Sequence, residues 1–176
     1  TTRPDAYTLG SVHTYYVDCS NGLDTNSGDA THPWKTIQHA ADTVVAGDTV
    51  RIRPGTYYEA VEIARKSGSS YNAMISFVAD DSNNKPILNG ANKNIETKVT
   101  TWTHSSGNIW YCSYSKAVNY VAANDVRLWC YLNSTDWSSR FAGIRGGYFW
   151  DSSTNRLYVE LPDGSNPNNA TMHVSD

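Results

Sequence analysis

Hydrophobic positions along the chain recur with two different periods, and the change from one to the other marks its elements. Thr14-Tyr15-Tyr16-Val17 is a short apolar run that predicts a strand, and the segment 18–29 behind it is rich in turn residues. Ile37, Ala40, Ala41, Val44 and Val45 then fall at i, i+3, i+4, i+7 and i+8, a single apolar stripe that predicts a helix over 33–46. Pro33 suits its first turn and Gly47 its stop. After the helix the period is two. Residues 49–53 alternate and end at Pro54-Gly55, Tyr57, Glu59, Val61 and Ile63 share one phase of a strand over 57–63, and further strands are expected at 74–79 and 86–88. Residues 1–12 carry no period and read as a loose leader.

Beyond residue 98 the pattern changes character. Five of the six tryptophans lie there, in short strand-like runs at 100–103, 109–114, 126–132, 147–150 and 156–161, with a last strand at 171–174. Asp151-Ser152-Ser153-Thr154-Asn155 reads as a hairpin connection, and Pro162-Asp163-Gly164 as another turn. The expected organisation is a leader over 1–14, a first region over 15–97 that carries the helix, and an aromatic-rich antiparallel β module, a small sandwich or meander, over 98–176.

Composition supports a mainly β chain. The 176 residues are only 18% charged, and Ser, Thr, Asn, Gly and aromatics, with twelve Tyr, take the place of charge. Asn, Ser and Thr compete with the helical backbone and aromatics favour strands. A net charge of −3 gives no electrostatic footprint for nucleic acid or an anionic membrane, and no apolar run is long enough to span a bilayer. The sequence begins Thr1-Thr2 without a methionine, so a processed product or an excised piece is expected, and the β-rich composition suits a secreted chain, extracellular or at the cell surface. Cys19, Cys112 and Cys130 have no zinc spacing; a Cys112–Cys130 bridge is geometrically allowed, and an unpaired state is the alternative. Asn133-Ser134-Thr135 and Asn169-Ala170-Thr171 are glycan acceptors in a source that glycosylates.

The stretch Tyr15-Tyr16-Val17-Asp18, Gly28-Asp29, His32-Pro33-Trp34-Lys35-Thr36-Ile37-Gln38-His39-Ala40 and Gly47-Asp48-Thr49-Val50-Arg51-Ile52-Arg53-Pro54-Gly55-Thr56-Tyr57 resembles the amino-terminal opening of right-handed parallel β-helix proteins, the pectate-lyase-like superfamily. The match covers roughly residues 15–90. It implies the first coils of a right-handed parallel β-helix, with the helix at 33–46 capping the open apolar end of the first coil. Lyases, glycosidases, esterases, adhesins and tailspikes share this opening, so it fixes no activity. The second half is similar to all-β modules inserted after the first coil in some relatives, most recognisably at Arg156-Leu157-Tyr158-Val159-Glu160-Leu161-Pro162-Asp163-Gly164.

Three groups of residues are candidates for chemistry. Asp18, Asp24, Asn26 and Asp29 place hard oxygen ligands in one loop, which suits calcium; the same side chains also fit Asx turns closing on their own backbone, the reading the spacing favours. A catalytic centre has no residues to name: Glu59 and Glu62 fall on opposite faces of their strand, Arg51 and Arg53 suit ion pairs, and the five histidines are scattered. Among Trp102, Trp110, Trp129, Trp137, Tyr148 and Trp150, the polar surroundings of Trp137 make it the best exposed platform for a sugar ring, with Tyr148 and Trp150 next because they share a phase.

Two functions follow as expectations. One is the amino-terminal part of a secreted polysaccharide-active protein, lyase or glycoside hydrolase, whose catalytic coils lie outside this chain. The other is a non-catalytic, self-assembling surface, matrix or fibre subunit. A β-helix coil end near 74–90 would leave backbone groups unpaired, so self-association through that end is also expected.

Overall fold

Parallel pairing organises the first half of the computed structural model, which describes residues 12–63, 74–140 and 146–175. Of the expected leader, residues 1–11 lie outside the described residues. The chain divides into two compact units, residues 1–90 and 91–176.

In the first unit, β1 (Thr14–Val17), β2 (Thr49–Ile52) and β4 (Ser76–Ala79) form one parallel sheet in the order β1-β2-β4. Strands β3 (Thr56–Tyr58) and β5 (Ile87–Asn89) form a second parallel pair. The registers repeat. Thr49 pairs with Ser76, an offset of 27 residues, and Thr56 pairs with Ile87, an offset of 31. The difference is absorbed where the chain passes between sheets: three residues, 53–55, link β2 to β3, and seven, 80–86, link β4 to β5. The outer edge of β1 is already occupied. Tyr16 N–H donates to Gly28 O, Trp34 N–H to Tyr16 O and Asp18 N–H to Trp34 O, so the loop lies along the strand like a further backbone.

The helix α1 (Ile37–Thr43) is shorter than its apolar stripe. Trp34 is drawn into the bridge to Val17, and Thr36 becomes the N-cap, its hydroxyl accepting the His39 N–H. At the other end the buried Asp48 carboxylate accepts the N–H groups of Val45 and His13, which turns the chain out of the helix at Val44. Ile37, Ala40 and Val44 still pack into the core with Val17, Trp34, Val50, Ile52 and Tyr57. The expected strand over 57–63 ends at Tyr58; the Glu59 N–H still donates to Asn89 O, while its carboxylate turns to cap the helix and accepts the N–H groups of Ile37 and Gln38.

The second unit opens with a short helix, α2 (Lys93–Glu96), capped by Asn92. Strands β6 (Thr103–Ser106), β7 (Ile109–Ser113), β10 (Trp129–Cys130), β11 (Gly147–Asp151) and β12 (Arg156–Glu160) form a five-stranded sheet in the order β10-β11-β12-β7-β6. A three-stranded antiparallel sheet, β13-β8-β9, is built from β8 (Tyr120–Ala123), β9 (Val126–Arg127) and β13 (Met172–Ser175). Cys112, Leu157 and Val159 from the larger sheet and Val121, Ala123, Met172 and Val174 from the smaller share one buried core, a two-sheet sandwich arrangement.

Several expectations are corrected here. The module is not wholly antiparallel, since β10 and β11 run parallel. The run 126–132 is not one strand: Leu128 dives into the core, and β9 and β10 on either side of it belong to different sheets. A third helix, α3 (Ser134–Arg140), and strand β8 had no sequence prediction. Cys19, Cys112 and Cys130 are all free thiols, with Cys112 in the core and Cys130 exposed on an edge strand. Burial pushes the Cys112 thiol up to about 12. No described helix is long and apolar enough to cross a membrane.

Candidate functional site

Strand alternation sorts the aromatic residues of the five-stranded sheet onto two faces. Trp110, Cys112, Tyr148, Trp150, Leu157 and Val159 turn inward to the core. On the opposite face Tyr111, Tyr158 and Phe149 stand side by side, because the antiparallel register pairs Tyr111 with Tyr158 and Tyr158 with Phe149. Phe149 and Tyr158 are stacked at 4.6 Å between centroids and 6° between planes, and Tyr111 lies 5.6 Å from Tyr158. Trp137 meets Phe149 edge-on at 5.4 Å, and Tyr131 meets Trp137 at 5.2 Å. Five rings thus form a continuous row across the sheet.

Local sequence places each end of that row. Asn133 starts α3, its side-chain oxygen accepting the N–H groups of Thr135 and Asp136, and this brings Trp137 onto the sheet. Trp137 Nε1–H then donates to Glu160 on β12 at 3.3 Å. Gly147 permits the Tyr131 ring to lie against β11: a Cβ there would sit 2.2 Å from that ring. At the other end the Arg156 guanidinium lies 4.3 Å over the Tyr111 ring.

Beside this row is a cleft of about 280 Å³, lined by Ile109, Trp137, Phe149 and Tyr158 on its apolar side and by Ser105, Ser106, Ser134 and Asp151 on its polar side. Asp151 supplies the single charge of that lining. Its carboxylate accepts bonds from Ser153 N–H, Ser153 Oγ–H and Thr154 Oγ1–H at 2.7–2.9 Å, and the two hydroxyl contacts hold the carboxyl below the usual range. The group is therefore an ionised acceptor at neutral pH. Burial and the neighbouring Asp136 and Glu160 charges push the Tyr131 hydroxyl up, which keeps the deep end of the row neutral. Such a lining can stack an aromatic ring on an apolar surface and exchange hydrogen bonds with hydroxyl groups. Glycoside cleavage takes two carboxyl groups, and this lining holds one.

Of the aromatic residues singled out in the sequence, Trp137 is in the cleft, yet only 5% exposed, since α3 lays it onto the sheet. Tyr148 and Trp150 do share a phase, but it is the inward one. Tyr148 is buried, and Trp150 Nε1–H donates to Tyr114 O at 2.8 Å inside the module. Phe149, Tyr158, Asp151 and the serines of β6 were missed. For Tyr158 the signal was present in the alternation, because it is out of phase with the aliphatic Leu157 and Val159 of its own strand.

The acidic loop of the first unit works differently. Asp18 accepts N–H groups from Ser20 and Asn21 and pairs with Arg53 at 3.3 Å. Asp24 accepts from Lys35 N–H, Thr36 N–H and the Thr36 hydroxyl. Asp29 accepts from Ser27, Thr31 and His32, and Asn26 donates to Pro33 O. Burial opposes the charge of Asp18 and Asp24, but these donors outweigh it and hold both carboxyls below the usual range. The Ser27 and Thr31 hydroxyls do the same for Asp29. Each side chain thus closes its own piece of loop. Among the described residues no three His, Cys, Asp or Glu side chains gather as a metal site. Glu59 caps α1, and Arg51 pairs with Asp80 at 3.2 Å. A second cavity, about 290 Å³, is lined by Ile37, Ile52, Val61, Ile63, Phe77, Pro86 and Leu88 of the first unit.

No family model matches the chain. A stretch of 54 residues is 43% identical to the uncharacterized protein YwoF of Bacillus subtilis (strain 168), covering 31% of this chain and 11% of that protein. Among solved structures, the fold is similar to that of XylC in its complex with xylose, with a TM-score of 0.68 and 19% identity over 92% of this chain and 31% of that one. A rhamnogalacturonan lyase aligns over 44% of this chain and 22% of its own length, with 32% identity and a TM-score of 0.37. The chain therefore spans about a tenth of the curated relative and less than a third of the XylC chain. The likeness to XylC is one of fold, and it extends beyond either unit alone.

Proposed function

We propose that this chain is the amino-terminal part of a secreted, polysaccharide-acting protein built on a right-handed parallel β-helix, and that its second unit contributes a carbohydrate-binding cleft. The observation that carries the reading is the cleft itself: a partly buried Tyr158 ring backed by Phe149, beside three hydroxyls and one ionised carboxylate. A sugar ring offers an apolar C–H face and a rim of hydroxyls, and those two surfaces match the two sides of this lining. The fold likeness to XylC, described in complex with xylose, supports the reading by analogy. The repeated parallel register of β2-β3 and β4-β5 supports the β-helix part, as two successive turns of one winding. In this arrangement the chain binds glycan, and bond cleavage belongs to residues of a longer protein.

Affinity electrophoresis of the chain in gels containing soluble polysaccharides tests this. Retardation by at least one glycan is expected, with Tyr158→Ala weakening it about tenfold, or ~1.4 kcal/mol. Tyr120→Ala, an exposed ring on the smaller sheet, is expected to leave it unchanged. Equal retardation of the wild type and Tyr158→Ala overturns the assignment.

A second reading, a self-associating subunit, is favoured by one observation. Strands β4 and β5 are the last of their sheets, and Val78, Ile87 and Leu88 on them are 40%, 60% and 55% exposed.

A further inference from the structure

Arg156 reaches the cleft through one of its lining residues, Tyr158. It stands two positions before Tyr158 on β12, so the two side chains rise from the same face of the sheet. Across the strands Arg156 pairs with Ser113 and Asp151, and Tyr158 pairs with Tyr111 and Phe149. One guanidinium engages three of these neighbours. It lies 4.3 Å over the Tyr111 ring, donates to the Tyr158 hydroxyl and interacts with the Asp151 charge. A planar fork suits this place, because it can stack flat on one ring while its edge donates to another group.

Tyr158 is fixed by these contacts in both its ring and its hydroxyl. On one side Phe149 stacks on the ring at 4.6 Å, and on the other Tyr111, itself under Arg156, lies at 5.6 Å. The ring thus meets the cleft with its edge and its hydroxyl. A hydroxyl both accepts and donates, whereas a guanidinium only donates. Accepting from Arg156 commits a lone pair of the Tyr158 oxygen and turns the hydroxyl proton away from the cation. It also strengthens that proton as a donor, since hydrogen bonds in series polarise one another. Asp151, the ionised carboxylate of the same lining, is an acceptor only.

Resting on the carbohydrate reading of this site, we propose that Arg156 is a positioning residue of the cleft: it holds the Tyr158 O–H as a fixed donor which, with the Asp151 acceptor, engages one oxygen and one hydroxyl of the same sugar. A sugar supplies both partners, an acceptor at its ring or glycosidic oxygen and a donor at each free hydroxyl. Arg156 acts through Tyr158 and makes no ligand contact of its own.

Calorimetric titration of the 176-residue chain with xylotriose tests the inference. Tyr158→Phe, which keeps the stacked ring, and Arg156→Gln are each expected to weaken binding about fivefold to tenfold, the effect of one hydrogen bond. The double variant is expected to bind no more weakly than the poorer single one, because both changes remove the same donor. Arg156→Lys keeps the charge without the planar fork and is expected to recover only part of the affinity. Arg127→Gln, at the arginine over the Tyr120 ring of the smaller sheet, is expected to bind as the wild type does, and thermal melts of every variant separate lost binding from lost fold. Arg156→Gln binding as tightly as the wild type, or losses that multiply in the double variant, would overturn the positioning role; with Tyr158→Ala still impaired, the sugar site would stand. Undiminished binding by Tyr158→Phe would overturn the donor without any change at Arg156, so the result does not depend on an Arg156 variant folding. A wild type that holds neither xylotriose nor any other glycan would remove the carbohydrate reading and this inference with it.

Discussion

Removing a single oxygen from the first unit is expected to lower its stability measurably. Tyr57 is 1% exposed, and its hydroxyl sits where three parts of the chain meet. It accepts the Cys19 N–H at 3.3 Å and lies 2.9 Å from Arg53 O and 3.2 Å from Val17 O, the carbonyls that share its proton. It therefore ties the end of β1, the start of the acidic loop and the corner after β2. Burial pushes the hydroxyl well above its ordinary range, so it stays a donor at any working pH. Tyr57→Phe keeps the ring and its packing and deletes this tie. Val17 O retains the Arg53 N–H, so its loss is small, whereas the Cys19 N–H and Arg53 O lose the partner described here. A net hydrogen bond contributes about 1 kcal/mol, and a buried donor stranded without a partner costs about 1–3. Cys19 is only half-buried and water reaches it, so the low end applies: about 1.5 kcal/mol in all. For a unit of this size that is a fall of about 6–12 °C in Tm. Calorimetry with hydrogen exchange read peptide by peptide checks it, with lost protection expected at 14–19 and 49–58. A Tm within about 2 °C of the wild type, with protection unchanged, would show that Tyr57 acts through its ring alone.

Acid is expected to destabilise the same unit: Asp18, Asp24 and Asp29 titrate lower folded than unfolded, so their contribution is complete above about pH 5 and is lost as pH falls through 4 toward their folded values. Urea midpoints for the first unit at pH 6, 4 and 3 should fall in that order, and a flat series would refute the role given to these donors. Self-association through the β4 and β5 edges is expected to appear in sedimentation as a dimer that Leu88→Lys dissolves; a monomer at high micromolar concentration counts against it.

The strands of the first unit were legible because each is short, alternating and closed by a turn. Residues 49–53 run into Pro54-Gly55, and the observed strand ends at Ile52. What misled was competition from side chains far along the sequence. Glu59 belongs to the apolar phase of 57–63 by position, but its carboxylate is worth more on the N–H groups of α1, more than twenty residues back. Likewise Asp48 ends the helix earlier than the apolar stripe does. In β11, alternation was visible and its polarity was not. Tyr148 and Trp150 are as apolar as Phe149, so composition does not say which phase faces the core. The covering of the outer face by Trp137 comes from α3, whose Ser-Thr-Asp-Trp-Ser-Ser start carries no helical stripe and is held by the Asn133 cap. Asp18 and Asp29, whose donors lie two and three residues on, were readable as turn closers, but Asp24, which reaches Lys35 and Thr36, and Arg53 as the partner of Asp18 were not.

The same unit also limits what an assembly made through it can be. A head-to-tail stack needs two different surfaces, one at each end of the winding, and such contacts repeat without closing. Here the leading edge is not free. Gly28 and Trp34 occupy the hydrogen-bonding groups of β1, and Gly28 is held there because the Trp34 ring packs so close that a Cβ would lie 2.5 Å from it. The trailing edge, β4 and β5, is the one with apolar side chains exposed and no described strand beyond it. With one end sealed by its own loop, self-association through the trailing edge would pair it with another trailing edge, an isologous contact whose product is a closed pair. A fibre would require the 26–34 loop to leave β1, exposing Trp34, which is now 3% accessible, and undoing the hydrogen bonds through which Asp24 and Asp29 hold that loop. The hydrogen-bonded acids that resemble a calcium loop therefore act, through this seal, as the residues that keep one end of the winding closed.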